Sequence, residues 1–246
     1  MRKAIITSSD GTHLPCLYED LNKKKLAIVT HFFGESKDSD LNKSVYQALK
    51  DSGYGFISFD MRGHGDQEDD GSSLEFETFC QDVFAAEEYI LSKDHPVEKI
   101  VYIGEGLSAL MLLWYLSLKS RAGRDAILIN PDLDLFTPLS KKISDEQMES
   151  LEKNGYIAAD IGGREFIASE YLMDDISFLD MLGLYRAGSA DITMILSSDD
   201  DFICRQSYDR FAAVCFADIL EVSSSDHLLK DCNTEEFSSA LSSALS

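Results

Sequence analysis

The sequence predicts an α/β fold: a mostly parallel, eight-stranded sheet with helices on both faces. Three observations lead there. Short apolar runs such as 26–30 and 55–59 have the length of strands buried on both sides. Stretches with apolar residues three and four apart alternate with these runs, which is the rhythm of a parallel sheet. At residues 100–118 an apolar strand passes through a glycine-rich turn directly into an apolar helix.

In chain order, residues 3–7 and 13–18 are strands around Ser9-Asp10-Gly11, a hairpin turn signal. The strand at 26–30 leads to a helix near 41–52 with Leu41, Val45, Ala48 and Leu49 on one face. After the strand at 55–59 a polar loop, 60–73, carries Met61-Arg62-Gly63-His64-Gly65 and an acidic run. A helix near 74–92, a strand at 99–103, a helix at 107–120 and a strand at 125–129 follow. The alternation resumes with strand 191–196, helix 204–214, strand 217–222 and helix 233–245.

The stretch 132–190 interrupts this order, so the chain divides into a core, 1–131 and 191–246, and an insert. The insert carries a helix near 144–153, with Asp145 and Glu146 in its first turn. A hairpin over 156–167, turning at Gly162-Gly163, and an amphipathic helix over 170–183 come next. An insert of this length beside a site is expected to be a lid over a pocket.

The 246 residues are 44% hydrophobic, enough for a sizeable core. Asp and Glu number 44 against 22 Lys and Arg, a net charge of −22. The longest basic run is Lys23-Lys24-Lys25, which argues against nucleic acid and anionic membranes as partners. The bland meaning of the acidity is a self-repelling, soluble surface. Cys16, Cys80, Cys204, Cys215 and Cys232 are scattered without metal-site spacing, so no metal is expected. The longest apolar stretch, 109–118, is too short to span a bilayer, and the N-terminal residues have no signal-peptide core. A reducing, cytoplasmic setting is the expectation. No cofactor is expected either. There is no P-loop, and Gly104-Glu105-Gly106 lacks the later glycine of a dinucleotide fingerprint. Nothing in the sequence sets an oligomeric state.

Four features stand in a telling order. Val29-Thr30-His31-Phe32-Phe33-Gly34 and Phe59-Asp60-Met61-Arg62-Gly63-His64-Gly65-Asp66 each follow a strand. Gly104-Glu105-Gly106-Leu107-Ser108 forms the strand-to-helix turn. Ser198-Asp199-Asp200-Asp201-Phe202 and Ser225-Asp226-His227-Leu228 follow the last two strands. Together they resemble the α/β-hydrolase superfamily over nearly the whole chain, and within it compact bacterial acyl esterases and monoacylglycerol-lipase-like enzymes.

The resemblance makes 104–108 the nucleophile elbow, G-x-S-x-G, with Gly106 in the serine position and Ser108 in that of the second glycine. It implies an oxyanion hole from the backbone N–H groups of Phe33 and Leu107. His31 and Phe32 would border the ligand, Phe32 standing where the family has glycine. Asp200, with Asp199 and Asp201 as rivals, would be the acid and His227 the base. The 59–66 loop matches D-x-R-G-x-G-x-S and is read as structural, Asp60 pairing with Arg62. Ser108, on the opening turn of a helix, is rotated away from the elbow's direction.

Covalent acyl transfer needs an attacking oxygen or sulfur, and Gly106 has neither. The expectation is a pseudoenzyme related to serine esterases of small carboxylic esters. It would lack normal hydrolysis and keep a pocket for a small acyl ester or related apolar ligand. Two alternatives stay open: serine-independent chemistry on water using His227 and Asp200, or an esterase whose serine has been removed from this sequence.

Overall fold

The computed structural model describes residues 1–93, 95–118, 124–161, 164–178, 185, 190–202 and 204–246. Its strands are β1 (Arg2–Thr7), β2 (His13–Glu19), β3 (Lys25–Val29), β4 (Gly55–Phe59), β5 (Lys99–Glu105), β6 (Arg124–Ile129), β7 (Tyr156–Ile161), β8 (Arg164–Ser169), β9 (Asp191–Ser197) and β10 (Asp218–Val222). Its helices are α1 (Asp40–Asp51), α2 (Phe76–Leu91), α3 (Leu107–Leu118), α4 (Phe136–Ser140), α5 (Asp145–Asn154), α6 (Glu170–Phe178), α7 (Arg205–Cys215) and α8 (Thr234–Ala244).

Eight strands form one sheet in the order β1-β2-β4-β3-β5-β6-β9-β10. The β1–β2 and β2–β4 pairs are antiparallel, and every later pair is parallel. Every residue of β4 is buried, as expected of a strand with both faces covered. One apolar layer brings Phe79 and Val83 of α2, Leu112 and Leu113 of α3 and Phe211 of α7 against the sheet. The opposite layer brings Val45 and Leu49 of α1 and Phe237 and Leu241 of α8. Helix starts follow their caps. Ser39 accepts from the Asn42 N–H, Ser144 and Gln147 form a capping box, and Asn233 accepts from Glu235 and Glu236.

β7 and β8 pair antiparallel as a separate two-stranded sheet. The expected turn at Gly162-Gly163 lies outside the described residues, as do 119–120 and 179–183 at the ends of two expected helices. The short α4 was not legible in the sequence because its five residues, with Pro138 inside, carry no full amphipathic turn. The hairpin is tied to the core, the Ile167 N–H donating to Asp70 O at 2.8 Å. No helix among the described residues is long and apolar enough to cross a membrane.

One expectation fails. Asp60 and Arg62 do not pair. Arg62, 1% exposed, donates from Nε and Nη2 to Asp82 at 2.9 and 2.8 Å and from Nη1 to Asp10 at 2.8 Å. Asp60 accepts from Lys37 Nζ at 2.6 Å, from the Lys37 N–H at 2.9 Å and from the Asp66 N–H at 2.8 Å. Both side chains are fully buried, so each must fill its hydrogen-bonding capacity from several elements. Arg62→Lys keeps the charge and loses the two-pronged grip on Asp82. A urea titration should read a loss of about 1–3 kcal/mol.

Candidate functional site

β5 ends at Glu105, α3 begins at Leu107, and Gly106 is the whole turn between them. Its φ of +55° lies in the left-handed region, where L side chains are strained. Gly104 allows the tight return of the helix, since a Cβ there would come within 2.7 Å of Ala109 Cα. The Gly106 N–H donates to Ile129 O, and its carbonyl accepts from the N–H groups of Ala109, Leu110 and Asp132. The tight strand-to-helix turn expected at 104–108 is thus formed, with glycine at its centre.

The space for a side chain at 106 is occupied. A Cβ placed on Gly106 would lie 2.6 Å from Phe32 Cδ1, 2.9 Å from Phe32 Cε1 and 3.5 Å from Asp132 Oδ2. Phenylalanine at 32 and any side chain at 106 would therefore compete for one volume. Phe32 is 3% exposed, and its N–H donates to Glu105 Oε2 at 3.0 Å. Ser108 is no substitute. It is fully buried; its hydroxyl donates to Glu105 O at 2.9 Å and accepts from Thr30 Oγ1 at 2.9 Å.

His227 stands between two carboxylates. Nδ1 donates to Asp200 Oδ2 at 2.6 Å, and Nε2 donates to Asp132 Oδ1 at 2.9 Å. Burial opposes charge on the ring, but the bonds to Asp132 and Asp200 outweigh it and raise the His227 pKa to about 9. Both ring nitrogens are thus engaged by carboxyl oxygens. Of the three neighbouring aspartates, only Asp200 meets His227. Its other oxygen accepts from the Phe202 N–H at 2.8 Å, while Asp199 takes the Ser198 hydroxyl and Asp201 is exposed. Asn130 holds the ends together, donating to His227 O at 2.7 Å and to Ser197 Oγ at 2.8 Å.

Asp132 escaped the sequence reading. It follows β6 in Asn130-Pro131-Asp132, at the first residue of the expected insert and outside the four sequence features. A signal did exist: an aspartate just past the end of a parallel strand, on the edge where ligands gather in open α/β sheets. Asp132 is 5% exposed. Burial pushes its carboxyl upward, and the bond to His227 opposes the shift.

The backbone N–H groups of Phe33 and Leu107 find no acceptor among the described residues, and both residues line one cavity of about 510 Å³. Asp132, His227, Phe32 and Phe202 line it too. Leu135, Ile143, Ile157, Phe166, Leu172 and Ile176 of the 132–190 segment close its far side. Phe32 and Leu228 also border a second cavity of about 330 Å³. His31 reaches neither cavity. It accepts from the Met61 N–H on Nε2 at 3.0 Å, so Nδ1 carries the proton donated to Phe32 O at 2.8 Å. Burial lowers its pKa to about 4 and keeps it neutral. Both ring nitrogens therefore serve the backbone.

Residues 22–167 match the model of a family described as serine aminopeptidase, S33. Curated protein sequences contain no match to the chain. Among solved structures, a putative hydrolase from Agrobacterium vitis S4 superposes with a TM-score of 0.81 at 15% identity, over 100% of this chain and 99% of that one. Est1E from Butyrivibrio proteoclasticus, with ferulic acid bound, gives 0.79 at 14% identity, over 98% and 97% of the two chains. The Pyrococcus furiosus esterase Pf2001 gives 0.73 at 15% identity, over 99% and 89%. At these identities the likeness is one of fold.

Proposed function

The chain belongs to the serine aminopeptidase S33 family of α/β hydrolases, and from that premise we propose that it binds a small apolar ligand without hydrolysing it. The observation that carries this reading is the Phe32 ring in the volume an elbow side chain would need. A glycine standing alone would leave room for a water or a rotated substrate group. Here the vacancy is filled, and the filling residue belongs to the loop that supplies the Phe33 N–H. The fit between residues 32 and 106 also favours a natural pairing over a serine removed by design.

In this reading Asp200 is the acid-position residue and His227 the base-position residue of the ancestral site. Phe33 and Leu107 keep the two backbone donors of its oxyanion hole. The segment 132–190 is the lid over the cavity. His227 does not serve as a base toward water near neutral pH, since the Asp132 carboxylate holds the nitrogen that would take the proton.

The test is hydrolysis of 4-nitrophenyl acetate, butyrate and octanoate at pH 7, beside His227→Ala. The two proteins should turn over at the same background rate, and neither should be labelled by a fluorophosphonate. A rate about 100-fold above background that His227→Ala abolishes would restore the enzyme reading.

A further inference from the structure

The chemical class of the ligand follows from the floor of the cavity, and this step rests on the binding reading above. The Asp132–His227–Asp200 row sets one imidazole ring between two carboxyl groups. Three of its four carboxylate oxygens are engaged: both on Asp200 and Oδ1 on Asp132. Asp132 Oδ2 has no donor among the described residues. Asp132 is more than nine-tenths buried and lines the cavity, so this oxygen is a desolvated acceptor presented to whatever enters.

The surroundings select among donors. Phe32, Phe33, Phe166 and Phe202 line the same cavity, with the Phe202 and Phe32 rings 4.7 and 5.6 Å from His227. Aromatic faces beside a desolvated carboxylate favour an ammonium over a neutral hydroxyl and disfavour a carboxylate. The field of a chain with net charge −22 draws cations in and holds anions off. Lys142, an exposed cation that lines the same cavity, already holds its Nζ 4.6 Å from the centre of the Phe202 ring, so that ring face accepts an ammonium.

We propose that the cavity takes an amine carried on an apolar body, its ammonium donating to Asp132 Oδ2 beside the Phe202 ring. The ring replaces part of the hydration the ammonium gives up, and the apolar walls from the insert take the hydrocarbon.

The experiment uses four probes sharing one chain: hexylamine, hexanol, hexanoate and methyl hexanoate, each titrated calorimetrically into the full-length protein at pH 7. Hexylamine should bind at least about tenfold more tightly than hexanoate and methyl hexanoate. Asp132→Asn, an isosteric change, should remove that preference. Phe202→Leu should weaken hexylamine about threefold and hexanol little, a check that does not depend on how Asp132→Asn folds. If hexanoate or methyl hexanoate binds as tightly as the amine, or Asp132→Asn keeps the preference, the amine assignment is wrong while a ligand cavity stands. If none of the four binds, the binding function itself is overturned along with it.

Discussion

Gly106→Ser alone should give no ester hydrolysis and a less stable protein. The new Cβ enters at a φ of +55° and meets the Phe32 ring at 2.6 Å. Left-handed strain and overpacking together should lower stability by about 2–4 kcal/mol. Phe32→Gly restores the glycine typical of the oxyanion loop and removes the obstacle. The double variant should therefore be more stable than the sum of the two single changes predicts, with a coupling of about 1–3 kcal/mol in a denaturant double-mutant cycle. It should still be slow, because Asp132 occupies the His227 nitrogen that would accept the serine proton. Adding Asp132→Ala frees Nε2, and the triple variant should exceed Gly106→Ser by at least about 100-fold in rate and take up a fluorophosphonate. If Gly106→Ser alone turns over as fast as the triple variant, Phe32 and Asp132 are not the block, and the missing hydroxyl was the whole defect.

The fold should lose stability as pH rises from 5 to 9, unlike an ordinary acidic protein, whose carboxylates have finished titrating by then. Two buried groups set this. Burial raises the Glu105 pKa from 4.5 to about 8, opposed by its bond to the Phe32 N–H. Its Oε1 has no partner among the described residues. The His227 pKa rises from 6.5 to about 9. In both cases the folded value lies above the unfolded one. The folded state therefore holds the proton more firmly, and its advantage is complete below the unfolded pKa. That advantage is lost between pH 4.5 and 8 for Glu105 and between 6.5 and 9 for His227. For His227 the loss is on the order of 3 kcal/mol, which lowers the melting temperature by roughly 5–10 °C. Glu105→Gln should melt close to the parent at pH 5 and several degrees above it at pH 9, because the amide cannot ionise. His227→Gln should be less stable than the parent at pH 6 and flatter above it. A parent melting temperature that is constant from pH 5 to 9 would mean that both sites ionise as freely as in water.

Much of this protein is written locally. Apolar runs bounded by turn residues mark the eight strands, and period-3.6 stretches mark the helices between them, because burial on two faces or on one stripe leaves a direct imprint on residue order. Gly104 and Gly106 marked the tight strand-to-helix turn for the same reason: the turn's geometry is set within five residues. His227 and Asp200 stood out by their place after the last strands, though choosing Asp200 over its neighbours required the side-chain directions of the folded loop. Tertiary structure alone decided the rest. Phe32 read as a small departure in an oxyanion loop, yet its ring fills the space of a residue 74 positions later in the chain. Asp132 carried no motif, yet it occupies the nitrogen that a catalytic histidine must keep free. Arg62 and Asp60 read as a local pair and instead found Asp82, Asp10 and Lys37. In each case the deciding contact joins residues far apart in sequence, where charge and volume are matched only once the sheet brings its strand ends together.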